Sequence, residues 1–176
     1  MKIIMVAAIS RDGFITKGKD PDVSKWTSVE DKEFFQRIKS KHNLFVMGRK
    51  TYDSGLVLPK PGTLKLILST NSKKYSSLQI PGQLEFSDLS PQEFVKIYMT
   101  NYESCLLLGG GITYSTFLEA NLVDEIYLTI EPLLFNTGTP LLNYKSIDDY
   151  TMGFKPKITI LNDYGTVLHH YVLKNI

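Results

Sequence analysis

The sequence predicts an α/β fold with a mainly parallel sheet and helices on its faces. Apolar runs of strand length cover residues 2–9, 43–48, 64–69, 104–109 and 122–131, and helix-like stretches lie between several of them. Strands that alternate with helices are typical of parallel sheets, because a parallel pair needs a crossover connection. The tail differs, since residues 157–161 and 166–173 alternate apolar and polar side chains around a turn. That alternation predicts an antiparallel hairpin at the sheet edge.

The first predicted helix covers about residues 28–42. Two overlapping patterns, Thr27-x-x-Glu30 and Ser28-x-x-Asp31, fit a capping box, in which the serine or threonine and the acidic residue bond each other's backbone N–H. The apolar residues expected on or near one face are Val29, Phe34, Phe35 and Ile38.

A second helix is predicted to start at Ser90-Pro91, where a serine cap precedes proline in the first turn. Its expected apolar face consists of Phe94, Ile97 and Tyr98.

Length and composition favour one domain over residues 1–176. The chain is 43% hydrophobic, which is enough for a single well-filled core. Twenty lysines and arginines balance eighteen acidic residues, and a net charge of +2 does not favour a nucleic-acid or membrane surface as partner. No stretch approaches the roughly 20 apolar residues that span a bilayer.

The N-terminal run and the single cysteine favour a cytoplasmic protein. Residues 1–9 are apolar apart from Lys2, but they are only about as long as a strand and lack a small-residue cleavage site, so we interpret them as a central strand. Cys105 lies inside an apolar run and has no second cysteine to pair with. We expect a buried thiol in a reducing compartment.

Two segments share one pattern: a strand-like run that ends in glycine, followed by residues able to start a helix. They are residues 44–52, with Gly48, Arg49, Lys50 and Thr51, and residues 105–114, with Gly109-Gly110-Gly111. A helix that starts directly after a buried strand presents unpaired N–H groups and a positive dipole end, which suit a phosphate. Two such starts, with Arg49 and Lys50, would suit a dinucleotide with an extra phosphate. Each segment alone is equally consistent with an ordinary strand-to-helix turn.

Other chemistries have weaker support in the sequence. There is no G-x-S-x-G elbow for a nucleophile, and no Gly-Lys-Ser/Thr follows the glycine run to make a P-loop. Structural roles are the better interpretation for His42, His169 and His170.

A carboxylate and aromatic side chains meet near the start of the first helix. Asp31 and Phe35 are four residues apart and therefore share a helical face, with Trp26 five residues before Asp31. Such a pair suits a flat heterocycle that carries an amidine. The competing interpretation is an aspartate favoured by the helix dipole and a phenylalanine in the core.

In order, these pieces resemble the dihydrofolate reductases over nearly the whole chain. The matching segments are Ala7-Ala8-Ile9, Trp26-x4-Asp31-x3-Phe35, Val46-Met47-Gly48-Arg49-Lys50-Thr51, Leu66-Ile67-Leu68-Ser69 and Gly109-Gly110-Gly111-Ile112-Thr113-Tyr114. The resemblance implies a dihydrofolate-reductase-like three-layer α/β/α fold and NADPH as hydride donor.

The resemblance also implies a role for each segment. Gly48 to Thr51 would start the helix at the pyrophosphate, with Arg49 and the turn Ser69-Thr70-Asn71 near the adenosine 2'-phosphate. Gly109 to Tyr114 would cover the nicotinamide side, with a cis peptide between Gly109 and Gly110. Ala8 and Ile15 align with residues that touch the nicotinamide ring. Asp31 aligns with the carboxylate that holds the pterin and helps its protonation.

Other features resemble the reductase domain of riboflavin biosynthesis and its stand-alone relatives. The dihydrofolate reductases bind the glutamate tail with an arginine just after a Pro-Gly turn, whereas Thr63 follows Pro61-Gly62 here. Segments 10–15, 24–31 and 132–138 look like the riboflavin-type enzymes, which commonly pair as dimers.

The expected reaction is hydride transfer from NADPH to a C=N or imine carbon of a pyrimidine- or pterin-like substrate. Asp31 would orient that heterocycle between apolar walls formed by Trp26, Phe35 and Leu108, with Thr129 as a nearby hydroxyl, and the proton would come from Asp31 or from water. The alternatives are a true dihydrofolate reductase and a protein that binds NADPH without catalysis.

Overall fold

The computed structural model of the chain describes residues 1–20, 22–55 and 57–173. Its strands form one eight-stranded sheet in the order β4-β3-β2-β5-β1-β6-β8-β7. The strands are β1 (Lys2–Ser10), β2 (Leu44–Gly48), β3 (Leu64–Leu68), β4 (Leu84–Ser87), β5 (Ser104–Leu107), β6 (Glu125–Glu131), β7 (Lys157–Ile160) and β8 (Val167–Val172).

Strands β1 to β6 pair in parallel, and β8 is antiparallel to both of its neighbours; the sequence predicts this arrangement for every strand except β4. β1 lies between β5 and β6 and pairs with both in parallel. β8 runs antiparallel to β6, and β7 completes the hairpin at the edge. Strand β4 was not predicted, because four residues of alternating character are too short to give a clear pattern.

Helices cover both faces of the sheet. They are α1 (Val29–Lys39), α2 (Arg49–Ser54), α3 (Pro91–Tyr98), α4 (Gly111–Glu119) and α5 (Asp148–Thr151), with 3-10 turns at Val23–Lys25 and Ser72–Leu78. Among the described residues, none of these helices has the length and apolar character needed to cross a membrane.

The core therefore has two halves, one on each face. The half under α1, here the α1-side core, includes Phe34, Ile38, Val6 and Met47. The half under α3 and α4, here the α4-side core, includes Phe94, Phe117, Met5 and Leu107. Alternate residues of each strand enter opposite halves, as the pleat of a strand requires.

Several predicted details of the helices are wrong. α1 ends at Lys39 rather than at residue 42, and Val29 is 64% exposed because it occupies the first position, before the apolar stripe meets the sheet. In α3, Ile97 is 49% exposed, since the helix packs through the fully buried Phe94 and the partly buried Tyr98. Only one of the two overlapping capping patterns is used: Ser28 is the N-cap of α1.

Candidate functional site

The candidate site lies where the parallel strands end. β2 and β5 are neighbours in the sheet, and their carboxyl ends carry the two glycine segments singled out from the sequence. In open α/β sheets, ligands bind outside the carboxyl ends of the strands. The fold therefore brings both segments to the edge where a shared ligand is expected.

The two glycine segments contact each other directly. The N–H of Gly48 donates a hydrogen bond to the carbonyl oxygen of Gly109 at 2.6 Å. A Cβ atom on Gly48 would lie only 2.7 Å from Oγ1 of Thr113. The peptide bond between Gly109 and Gly110 is cis, as expected. The close approach of Thr113 therefore requires a residue without a side chain at position 48.

Tyr114 supports this turn from the protein interior. Gly109 has φ +96°, and a Cβ there would lie 2.9 Å from the Tyr114 ring. The Tyr114 hydroxyl donates to the carbonyl of Val6 at 2.6 Å, and burial raises its pKa. Of the residues expected at the cofactor, Tyr114 and Thr113 lie in the interior, whereas Ile112 is 60% exposed.

The helices that follow the glycines begin without a side-chain cap. The N-caps of α2 and α4 are Gly48 and Gly110, neither of which can offer a side-chain acceptor. The hydroxyl of Thr51 faces the second helix start, since its oxygen would lie 3.3 Å from a Cβ on Gly110. The first-turn N–H groups of α4 are thus available to an anionic ligand.

Cationic and polar side chains flank the start of α2. Arg49 forms an ion pair with Asp53 one turn further along the helix, and Lys50 is exposed. The turn at residues 69–71 follows β3, the neighbour of β2. In that turn the Ser69 hydroxyl accepts the N–H of Asn71 at 3.2 Å, and Thr70 is exposed. The structure brings the predicted turn beside the predicted helix start.

Asp31 lies in the first turn of α1, against the end of β6. Asp31 is 8% exposed, and the hydroxyls of Thr129 and Thr27 are polar neighbours of its carboxylate. Burial raises the pKa of Asp31, and the nearby charge of Glu131 raises it further. A buried carboxyl with a raised pKa can hold a proton or bind an amidine edge. Such perturbed groups are concentrated at functional sites.

Glu131 was not singled out from the sequence. It ends β6, two residues after Thr129, and is 3% exposed. Because strand side chains alternate, Glu131 and Thr129 point to the same face of the sheet, which α1 covers. The sequence signal that could have revealed Glu131 is an acidic residue two positions after Thr129, at the end of an apolar strand.

The predicted apolar walls are only partly brought together. Phe35 and Leu108 are half-buried and pack against the α1-side core. Ala8 pairs with Thr129 in the sheet register. Ile15 packs against the α4-side core instead. Its backbone N–H donates a hydrogen bond to the carbonyl oxygen of Thr139 at 2.8 Å.

Trp26 contacts a second loop, which contains Phe135. Its ring contacts Phe135 edge-on, with centroids 5.1 Å apart. Its buried indole Nε1 has no hydrogen-bond partner among the described residues. Asp12 holds the same loop, since its carboxylate accepts the N–H groups of Phe135 and Asn136.

The cysteine and histidines have structural surroundings. Cys105 is a buried free thiol, and burial raises its pKa to about 12. His42 bonds Ser104 at 2.7 Å, and His170 contacts Glu125 at 3.0 Å while stacking on Tyr127. No cluster of metal-ligating side chains occurs in the described part of the chain.

A shallow cleft of about 350 Å³ lies elsewhere on the surface. Asp148, Met152 and Tyr171 are among its lining residues. It contains none of the residues predicted for the candidate site.

Comparison with known proteins identifies the class. The sequence model of the family described as dihydrofolate reductase matches residues 2–145. An uncharacterised protein of Bacillus subtilis, YyaP, is 31% identical over 151 residues, which are 80% of this chain and 79% of that protein.

Two solved structures share the fold. A deaminase and 5-amino-6-(5-phosphoribosylamino)uracil reductase from Thermotoga maritima has a TM-score of 0.73 at 18% identity, over 97% of this chain and 56% of that one. Dihydrofolate reductase from Enterococcus faecalis, complexed with NADP(H) and RAB-propyl, has a TM-score of 0.66 at 22% identity, over 97% and 95%. These similarities show the dihydrofolate-reductase-like fold.

The fold and the match to the family model together define a member of the dihydrofolate-reductase-like superfamily. The chain belongs to the dihydrofolate reductase family.

Proposed function

We propose that the protein is an NADPH-dependent reductase of a pyrimidine- or pterin-like heterocycle, of the riboflavin-biosynthesis type. The contact between Gly48 and Gly109 supports this most directly, since it places two uncapped helix starts side by side. The E. faecalis dihydrofolate reductase, which shares the fold at 22% sequence identity, was solved in complex with NADP(H).

The residues at this edge fit such a cofactor. Gly48 and Gly110 have no side chain to cap the helices that they precede, so the first N–H groups of α2 and α4 can bind the ligand. Thr51 adds a hydroxyl beside the start of α4. Arg49 would bind the 2'-phosphate after leaving Asp53, because guanidinium pairs well with phosphate. When bound, NADPH supplies the hydride, and the protein positions the reactants and excludes water.

Asp31 would hold the substrate in this proposal. Its carboxyl would bind the amino and ring nitrogens of the heterocycle and, when protonated, could donate a proton to the reduced nitrogen. Water is the alternative proton donor. Phe35, Leu108 and Trp26 would supply apolar walls, and the free indole Nε1 of Trp26 offers one more donor.

The substrate assignment depends on Thr63. This residue follows the Pro61-Gly62 turn, where Gly62 has φ +75°, and it offers no guanidinium to a folate carboxylate. A ribosylamino phosphate does not need that contact.

The presence of Asp31 instead favours the second candidate, a true dihydrofolate reductase. A homodimer and a cytoplasmic location stay predictions.

Turnover of two substrates tests the proposal. Purified protein is given NADPH with either the pyrimidinone ribosylamino phosphate or dihydrofolate, and the loss of NADPH absorbance is followed. We expect faster oxidation with the pyrimidinone and weak inhibition by methotrexate. Faster turnover of dihydrofolate with strong methotrexate inhibition would overturn the riboflavin-type assignment in favour of a true dihydrofolate reductase. Binding without oxidation of NADPH by either substrate would indicate a non-catalytic protein.

A further inference from the structure

Two carboxylates are buried next to each other at the start of α1. Asp31 and Glu131 are 8% and 3% exposed, and the charge of Glu131 acts on Asp31. Placing two like charges in a desolvated site is unfavourable unless each has its own hydrogen bonds. The hydrogen bonds of Glu131 explain the arrangement.

Glu131 accepts a different hydrogen bond at each carboxylate oxygen. Its Oε1 accepts the backbone N–H of Ser28 at 2.7 Å, and its Oε2 accepts the hydroxyl of Thr166 at 2.7 Å. Ser28 is the N-cap of α1, and its side chain already accepts the N–H of Asp31 at 3.2 Å. In a complete capping box, the Ser28 N–H would belong to the Asp31 side chain.

The same chain contains completed boxes for comparison. At the start of α3, the N–H of Ser90 donates to Glu93 at 2.8 Å. Just before α5, at Ser146, one residue ahead of the N-cap Ile147, the same reciprocal pair forms: the N–H of Ser146 donates to the carboxylate of Asp149 at 2.7 Å, and the Ser146 hydroxyl accepts the N–H of Asp149 at 3.4 Å. The second pair has the same residue types and spacing as Ser28 and Asp31. Aspartate is therefore long enough to close the box, and α1 differs because Glu131 occupies the N–H.

We propose that Glu131 is a positioning residue that keeps Asp31 from capping its own helix and directs its carboxyl toward Thr129 and the candidate site. The negative charge of Glu131 also favours the protonated form of Asp31. The part of this inference that concerns catalysis rests on the proposed function, whereas the orientation of Asp31 does not.

Glu131 is itself held by a polar network. The hydroxyl of Thr166 also accepts from Nδ2 of Asn162 at 3.1 Å, and the same Nδ2 group donates to Glu30 at 2.9 Å. Thr166 is buried in the turn that joins β7 to β8. The network thus connects the C-terminal hairpin to the first turn of α1, and Glu131 is fixed from both sides.

The other groups around Asp31 act in known directions. Burial and the charge of Glu131 raise the pKa of Asp31, whereas the hydroxyls of Thr129 and Thr27 and the charge of Lys32 lower it. Burial is the largest of these effects. Removing the charge of Glu131 should therefore lower the pKa of Asp31 without reversing all of the effect of burial.

Two variants separate charge from position. Glu131→Gln keeps an acceptor for Ser28 and removes the charge, whereas Glu131→Leu frees the Ser28 N–H. The titration of the Asp31 carboxyl is followed by carbon-detected NMR in the ligand-free protein, with Asp31→Asn for assignment. We expect the pKa of Asp31 to fall in Glu131→Gln. It should fall further in Glu131→Leu, where the Ser28 amide shift should begin to follow the titration of Asp31.

Glu125→Gln is the matched control. Glu125 is the first residue of β6, pairs with Lys2, and lies at the opposite end of the strand from Glu131. This variant should leave the titration of Asp31 unchanged. An Asp31 titration that is the same in wild type, Glu131→Gln and Glu131→Leu would overturn the proposal.

A measurement on the wild-type protein does not depend on the folding of either variant. A scalar coupling across the hydrogen bond between the Ser28 amide nitrogen and the Glu131 carboxyl carbon should be detectable, and its absence would contradict the inference.

None of these NMR measurements uses a cofactor or substrate. If the pKa of Asp31 moves as expected but no substrate is reduced, the proposed function fails and the positioning role stands. If turnover occurs, the kcat/KM limb that reports Asp31 should move to lower pH in Glu131→Gln.

Discussion

Gly48 and Gly109 are joined by a backbone hydrogen bond of 2.6 Å between the ends of two neighbouring strands. This contact sets the distance between the starts of α2 and α4. It leaves no space for a side chain on Gly48, because Oγ1 of Thr113 lies 2.7 Å from the position of a Cβ. The candidate cofactor site depends on this close approach.

Gly109→Ala should damage both stability and cofactor binding. The residue has φ +96°, and the new methyl group would meet the Tyr114 ring at 2.9 Å. A positive φ alone costs an alanine about 1–2 kcal/mol, and the overlap adds to that. Gly153→Ala is the control, since Gly153 has φ +89° with nothing within 4 Å. Chemical denaturation should show a larger loss for Gly109→Ala, and equal losses would contradict the steric argument.

Arg49→Ala should reduce the preference for NADPH over NADH. A charged hydrogen bond to phosphate contributes about 1.5–3 kcal/mol, so the ratio of the two Kd values should fall by about 10- to 150-fold. Arg37→Ala is the control, because Arg37 lies on α1 over the ring of Phe34. Titration calorimetry with both cofactors measures the ratio. An unchanged ratio would remove Arg49 from the site.

Asp31→Asn should lower activity and raise stability near neutral pH. Loss of a proton-transferring or substrate-orienting carboxyl reduces kcat/KM by about 10²- to 10⁴-fold. The pKa of Asp31 is raised in the folded protein, so the folded state binds this proton more tightly than the unfolded state. Its contribution to stability is therefore lost as pH rises from the ordinary value of 3.8 through the raised value.

Asparagine at position 31 stays neutral, so it avoids the loss of stability that comes from ionising the buried Asp31 carboxyl near neutral pH. Thermal unfolding near neutral pH should give a higher Tm for Asp31→Asn than for wild type, and the difference should shrink below pH 3.8. Asp163→Asn, an exposed carboxyl in the turn between β7 and β8, is the control. A lower Tm for Asp31→Asn near neutral pH would show that its hydrogen bonds outweigh its desolvation.

Thr166→Val should destabilise the fold through Glu131. The hydroxyl of Thr166 donates to a buried carboxylate oxygen, and an oxygen left without its donor costs about 1–3 kcal/mol. For a chain of this size, each kcal/mol lowers Tm by about 2–4 °C. Thr159→Val, at an exposed position on the neighbouring strand β7, should change stability by at most about 0.5 kcal/mol. Similar Tm values for the two variants would contradict the network.

The sheet could be predicted from the sequence because it depends on local pattern. Apolar runs, glycine ends and capping residues are read from neighbouring positions, and they located β1, β2, β3, β5, β6 and the terminal hairpin. The exposure of Val29 and Ile97 could not be predicted in this way, since it depends on how each helix sits on the sheet. A periodic stripe gives the face of a helix but not how far along that face contact extends.

The candidate site was predicted less completely, because its contacts join distant parts of the chain. Gly48 and Gly109 are 61 positions apart, and only the strand order shows that they touch. Ser28 and Glu131 are 103 positions apart, and their bond decides where Asp31 points. The sequence indicated that Ser28 and Asp31 could form a capping box, but not that Glu131 would take one half of it.

Calorimetric titration of the purified protein with NADPH tests the central claim most directly. Measurements at two temperatures ensure that a binding enthalpy near zero at one temperature is not mistaken for absent binding. The account predicts saturable binding of one NADPH per chain, weaker binding of NADH, and weakening of both in Gly109→Ala. No binding of NADPH or NADP⁺ at either temperature would contradict it.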